Sequence, residues 1–446
     1  MSKELDANGA KESPSRYNRK LVLKEGGWVF GGQIATMAAY GIGLRVVTSL
    51  SPPDAYGSAA LALGLVALGT QNIVNPVLVA QARLYPDFQR RGISSWFMRH
   101  AFWSMLKRLR WVLIPLALLD LILLVLGYNY YAAVVLLSFL IATGIWSYSI
   151  FTNFVTAERR QRAASVLRFF RYLFPPAIAV AIGLFLIPSA LGLLSAEATA
   201  GILLSAAAYG VLFHKRQSDS SKPRAEDVNS IKADTIKIAV PLSLVAVGTW
   251  VSALSDRYVI GLFLGTHSVG VYSANYGLWA QPFIMLGAGL ILWLRPILFG
   301  AVSEGNAAIA AMTIRRWLLA GVSLSIIGGI ILYVGRELVF TLFLDPKYRA
   351  ADGVMIFIMI AYSCSVASIC FSQLLAAELR TKEQILPVLV AAFLNIALNF
   401  AAIPYLGLLG AAIVTAFSFG VEAIWLGWIA LRNTDKKASA VTDAAK

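Results

Sequence analysis

Charge is scarce in this chain. Of its 446 residues only 14% are Asp, Glu, Lys or Arg, while 58% are hydrophobic, and the mean hydropathy is +0.71. A soluble domain carries about one charged residue in four, so this composition belongs in a bilayer. Cysteine is nearly absent. Cys364 and Cys370, six apart in one apolar segment, give neither a disulfide framework nor a metal-ligand spacing. The three histidines, His100, His214 and His267, are scattered and leave no support for a zinc or histidine-based catalytic cluster. There is no Walker-type glycine loop, which argues against ATP hydrolysis by this chain. The polar start, 1–25, has no short apolar core followed by a cleavage site, so no signal peptide is expected.

What is there is a series of long apolar runs. A membrane helix needs about 20 mostly apolar residues. Twelve stretches qualify: 26–49, 57–81, 110–127, 131–153, 172–188, 197–213, 238–263, 269–294, 315–335, 353–377, 385–402 and 409–431. The expected class is therefore an all-α integral membrane protein of about twelve transmembrane helices. Lys and Arg fall unevenly between the connecting segments. Thirty-three lie on the side shared by both termini, and three, Arg336, Lys347 and Arg349, on the other. The positive-inside rule then places both termini in the cytoplasm. The net charge of +15 is thus read as topology and attraction to anionic membrane lipids, and not as a nucleic-acid surface. The stretch 89–108, with Trp96, Phe97, Phe102 and Trp103 among bases, reads as an interfacial amphipathic helix leading into the third span.

Two arginines remain, Arg45 in the first span and Arg257 in the seventh. They mark a repeat. The segment "LRVVTSLSPPDAYGSAALALGL" from 44 aligns with "DRYVIGLFLGTHSVGVYSANYGL" from 256, with one extra residue in the second loop. Beyond it Gly57 matches Gly270 and Gly64 matches Gly277. Arg83 and Arg295 match at the ends of the second and eighth spans. The polar segment 214–237 falls between the halves. The expected organisation is a cytoplasmic tail (1–25), a six-helix lobe (26–213), a cytoplasmic linker (214–237), a second six-helix lobe (238–431) and a tail (432–446). Repeats of this kind are found in transporters, with the substrate site between lobes that rock around a central cavity.

These motifs carry a resemblance. The segment from 256, the C-terminal "LNIALNFAAIPYLGLLGAAIVTA" (394–416) and "LRVVTSLSPPDAYG" resemble polysaccharide transporters and O-antigen flippases of the multidrug/oligosaccharidyl-lipid/polysaccharide (MOP) exporter superfamily. The resemblance implies a V-shaped pair of helical lobes around a cationic cavity. It implies a flippase, not an enzyme, in a bacterial inner membrane. It would move an undecaprenyl-pyrophosphate-linked oligosaccharide to the periplasmic leaflet for lipopolysaccharide or exopolysaccharide synthesis. Polymerase and glycosyltransferase partners follow from the same reading, with no cofactor beyond a coupling proton or sodium ion.

Such a substrate sets chemical demands. Pyrophosphate calls for arginine, whose planar fork stays charged. Charged side chains within a bilayer usually face a cavity or a partner. Arg45 and Arg257 are the expected outer phosphate station, with Asp256 holding Arg257 between cargoes, and Arg83 with Arg295 the inner one. Sugars call for aromatic faces and amides. Gln33 and Tyr40 on the first span, Trp250 one face-repeat before Arg257, and the stripe Tyr272, Asn275, Tyr276, Trp279 at helical spacing are the candidates. Asn395 and Asn399, one turn apart, suit bonding between helices. Asp120 and Glu422, carboxylates in apolar surroundings, are candidates for ion coupling. Pro76, Pro115, Pro176, Pro241 and Pro282 permit bends. Two alternatives stand beside the flippase. One is a multidrug or cation antiporter of the same superfamily. The other is a membrane polysaccharide polymerase or ligase, which the short outer loop 336–352, lacking His, disfavours.

Overall fold

The structure, a computed structural model, describes residues 19–158, 160–183, 189–213, 225–350 and 352–444. Most of the expected N-terminal tail and the segment 214–224 of the linker lie outside the described residues. The protein is built from helices. They are α1 (Arg19–Leu50), α2 (Pro53–Arg90), α3 (Ser94–Val125), α4 (Asn129–Ala157), α5 (Gln161–Gly183) and α6 (Ala190–Phe213). A long run, Ala225–Ser303, breaks at Gly265 into α7 (225–264) and α8 (266–303). Then come α9 (Ala307–Val334), the short helix Arg336–Phe343 and α10 (Asp352–Ala377). The last run, Ile385–Ala444, breaks at Gly407 into α11 (385–406) and α12 (408–444).

Eight described stretches are long and apolar enough to cross a membrane, and two of them contain the breaks and hold two spans each; α3 contributes a shorter apolar stretch, Ile114–Val125. With α1, each of the twelve expected spans falls on its own helix, except that 184–188, the end of the fifth, lies outside the described residues.

Glycine makes both single-residue turns. Gly265 has φ 78° and Gly407 φ 59°, a region closed to most side chains. The expected proline bend near Pro76 takes a specific form. Residues Thr70–Val74 form a π turn. Proline lacks the N–H donor and crowds the carbonyl four residues back, and a widened turn just before it relieves both. Trp146 on α4 fixes this turn by donating its indole N–H to Thr70 Oγ1 at 2.8 Å.

Buried apolar side chains gather into two cores. One draws on residues between Ala59 and Ala239, the other on Leu44 and residues between Val259 and Ala430. The stretch 89–108 corrects an expectation. From Ser94 onward it is the start of α3, and its apolar face packs into the first core instead of lying on lipid: Phe97, Met98, Ala101 and Met105 are buried there. Phe97 stacks on Phe88 at 4.5 Å and Phe102 on Phe151 at 5.2 Å. Spacing shows an amphipathic helix but not what covers its face; Trp103 alone of its four aromatics stays largely exposed.

Candidate functional site

The site begins where the halves meet. Gly57 on α2 and Gly270 on α8 touch in a reciprocal way. A Cβ on Gly57 would lie 2.0 Å from the Thr266 carbonyl oxygen, and one on Gly270 would lie 2.0 Å from that of Pro53. Pro53 and Thr266 stand in the same 213-residue relation as the two glycines. Each half therefore presents the same patch to the other, as an approximate two-fold axis requires. The second glycine pair is used similarly. Tyr258 fills the space beside Gly64 and Tyr40 the space beside Gly277. Two further bonds cross the junction, Tyr258 Oη to Leu61 O at 2.9 Å and Trp250 Nε1 to Gly64 O at 3.0 Å.

At this same end the segment after the short helix is tied to α1 and α2. Arg45 donates to the Leu344 carbonyl. The Asp345 N–H donates to Thr48 Oγ1 at 3.3 Å, Lys347 Nζ to Ser49 O at 3.3 Å, and Tyr348 Oη to Ser51 O at 2.9 Å. Asn275 on α8 holds the segment from the other side, its amide donating to Tyr348 O at 2.7 Å. Tyr56 meets Tyr348 edge to face at 5.7 Å. Together these contacts seal one end of the junction. Beyond it Arg349 bonds Glu337 and holds that carboxyl below its usual range.

Behind the seal sit two charge clusters, one buried and one half-buried at a cavity. In the C-terminal half Asp256 is fully buried and Arg257 is 8% exposed. Their side chains form no ion pair, contrary to the expected embrace. Consecutive residues on a helix point about 100° apart. Asp256 accepts instead from the Arg257 backbone N–H at 2.8 Å and from Tyr272 Oη at 2.7 Å. Arg257 donates to Ser273 Oγ at 3.1 Å and to Ala253 O at 3.3 Å, and lies over the Tyr276 ring at 4.7 Å. Tyr362 donates to Tyr276 Oη at 3.0 Å. Asn395 accepts from Ser255 on α7 and from Asn399 one turn on, and donates to Ser418 on α12, so it bonds between helices.

In the N-terminal half a partly enclosed cavity of about 320 Å³ lies between α1, α2, α5 and α6. Arg171 on α5 and Glu197 on α6 form an ion pair in its wall. Tyr40, Tyr56 and Tyr172 also line it, and Tyr40 meets Tyr172 edge to face at 5.7 Å. Tyr40 and Tyr56 also reach across the junction, Tyr40 to Gly277 and Tyr56 to Tyr348.

The candidates named from sequence divide accordingly. Arg45, Trp250, Asn275 and Tyr40 meet at the junction. Tyr272, Tyr276 and Trp279 pack inside the C-terminal half; Trp279 is fully buried against Phe340 at 5.1 Å. In this conformation the stripe faces core, not open space. Arg83 and Arg295 are exposed, and Arg295 lies over the Phe299 ring; no bond joins them. Gln33 is half-buried on α1, away from the cavity lining. Asp120 sits on α3 among exposed leucines, with a buried Oδ1 that has no partner among the described residues. Glu422 on α12 is half-buried, and the structure does not bring it to Asp120. Arg171 falls, by sequence, within a basic loop, yet α5 starts ten residues earlier and carries it inside. Glu197, at the edge of an apolar run, is a site residue that sequence reasoning missed.

The chain matches no protein-family model and no curated protein sequence. Solved structures do match. An inward-facing MATE-family multidrug transporter of the MOP superfamily aligns over 93% of this chain and 96% of its own, with TM-score 0.65 and 15% identity. An outward-facing conformation of a MATE-family transporter gives TM-score 0.60 at 14% identity over 95% and 96%. A Pyrococcus furiosus MOP-superfamily transporter gives 0.59 at 14% identity over 93% and 95%. The chain has the MATE transporter fold. This agrees with the architecture expected of the superfamily; the polysaccharide branch is a finer matter.

Proposed function

We propose that the chain is a secondary transporter that moves an amphiphile by alternating access, opening and closing between its two halves. The observation that carries this reading is the reciprocal seal at Gly57 and Gly270. It joins the halves at one end through small residues and a clipped segment, an arrangement suited to parting as two rigid bodies. By the charge bias of the loops, this is the side facing away from the cytoplasm, with both termini cytoplasmic.

On cargo the fold and the residues pull apart. The MATE-family neighbours are multidrug resistance transporters, which favours the antiporter reading over the flippase. Identities of 13–15% carry fold but not cargo, and for the Pyrococcus neighbour a reversed polarity of the binding pocket suggests a different function. Arg257, buried, and Arg171, at the cavity, support an anionic cargo, for which a lipid-linked oligosaccharide is the specific candidate. In that reading Arg257 reaches the pyrophosphate only after Tyr276 and Tyr362 shift, and Glu422 or Asp120 carries the coupling ion.

The test is a deletion strain complemented with wild type or Arg257→Ala, with membrane protein levels checked. Loss of surface glycan on deletion, with precursor accumulating, supports the flippase. Loss of resistance to organic cations with normal glycan supports the antiporter. A deletion that changed neither would contradict the transport reading.

A further inference from the structure

The cavity of the N-terminal half is rich in hydrogen-bond donors and poor in acceptors. Arginine offers five N–H donors and accepts none. Among the described residues Arg171 gives one bond, to Glu197, and Glu197 has no other hydrogen-bond partner. Among the described residues the hydroxyls of Tyr56 and Tyr172 have no hydrogen-bond partner, while that of Tyr40 lies against Gly277 across the junction. None of these donors is sealed away from the cavity without a partner, so the spare ones stay open to an acceptor that enters it.

The remaining lining is apolar, including Leu44, Leu63, Pro175, Pro176 and Leu193. A volume of about 320 Å³ lies at the small end of ligand pockets. The C-terminal half differs. There the Asp256 carboxylate is held by Tyr272 and by a backbone N–H. Glu197 is held by one arginine alone and is the carboxylate that can be exchanged.

We propose that this cavity is a binding subsite for the oxyanion group of an amphiphilic ligand, which takes the place of Glu197 on Arg171. The apolar part of the ligand lies along the proline and leucine wall. Tyr40 and Tyr56 stand between the subsite and the seal, so an occupant touches residues that pack against the C-terminal half. The subsite deepens the anionic-cargo reading and rests on it, but binding to purified protein can be measured whether or not any cargo crosses.

The test is calorimetric titration of the purified full-length protein at pH 7 with hexyl phosphate, inorganic phosphate and hexyltrimethylammonium. Glu197→Gln, which removes the competing charge and keeps the shape, should tighten hexyl phosphate by about tenfold, the effect of roughly 1.4 kcal/mol. Arg171→Gln should weaken it by at least as much. The double variant Arg171→Gln/Glu197→Gln leaves no unpaired buried charge and should stay folded while failing to bind. Inorganic phosphate binding as tightly as hexyl phosphate would assign the site to a free anion and overturn the amphiphile. Equal hexyl phosphate affinity in wild type and the double variant, or no binding in either wild type or Glu197→Gln, would overturn the subsite. So would hexyltrimethylammonium binding that Glu197→Gln abolishes. The two readings fail separately: hexyl phosphate binding of this pattern with normal surface glycan on deletion upholds the subsite and removes the flippase.

Discussion

Arg257 and Arg171 are two arginines inside one membrane protein, and they are kept in opposite ways. Arg257 is packed: two oxygen acceptors and an aromatic face surround it, and its neighbour Asp256 is fixed by other groups. Arg171 looks into a cavity with one carboxylate beside it. A buried charge whose partners are all part of the protein stabilises one arrangement of helices. A half-buried charge with spare donors at a cavity is available to something else. The difference lies in the surroundings, since the residue type is the same.

The comparison breaks most sharply at Asp256. Asp256→Ala removes the charged acceptor of two buried hydrogen bonds, from Tyr272 Oη and from the Arg257 backbone N–H, about 1.5–3 kcal/mol for each. Thermal unfolding in detergent should show a large loss, while Asp256→Asn, which still accepts from Tyr272, should lose less. A variant as stable as wild type would mean that the C-terminal cluster does not hold the half together. At Gly57 the effect is local. Gly57→Leu or Gly270→Leu forces a side chain into a backbone carbonyl, so labelling by a water-soluble thiol reagent at a cysteine placed at Ser51 should rise severalfold. Unchanged labelling would show the junction to be looser than described.

Much of this arrangement is legible in the sequence. Hydropathy locates the spans because a helix facing lipid needs about 20 mostly apolar residues in a row to cross the bilayer. The matched glycines are visible as a repeat, and close packing is the plain reading of each. Their contact with each other is not visible, because a repeat gives equivalence and not adjacency. Helical spacing places Tyr272, Tyr276 and Trp279 on one face, and spacing does not say whether that face meets a cavity or a core. Arg171 is hidden by its basic neighbours, which resemble the end of a span. Glu197 lies 26 residues away from it, a separation that carries no helical periodicity.

Smaller effects sharpen the picture at the seal. Arg45→Ala deletes one charged hydrogen bond to the Leu344 carbonyl, about 1.5–3 kcal/mol. It should speed hydrogen exchange across 344–348 without lowering the unfolding temperature as far as Asp256→Ala does. Equal losses would mean that the two arginines have the same structural role. The smallest effect belongs to Glu383, outside the spans, whose carboxyl Arg380 holds below the usual range. A depressed folded pKa gives stability that is present above the ordinary glutamate range and lost as pH falls through the folded value. Unfolding temperature should therefore be insensitive to Glu383→Gln near neutrality, by well under ~1 kcal/mol for so exposed a pair. Any difference between Glu383→Gln and wild type at neutral pH should vanish in acid, where both side chains are uncharged. A gap that widened in acid would contradict the assignment.

The central claim is that the halves part at the end closed by Gly57 and Gly270. Spin labels at Leu50, on the end of α1, and Leu342, on the short helix, both exposed, report it directly by pulsed electron-electron distance measurement. The account predicts two populations, a short distance matching the sealed end and a longer one whose weight changes with pH or added hexyl phosphate. A single short distance under every condition would contradict it.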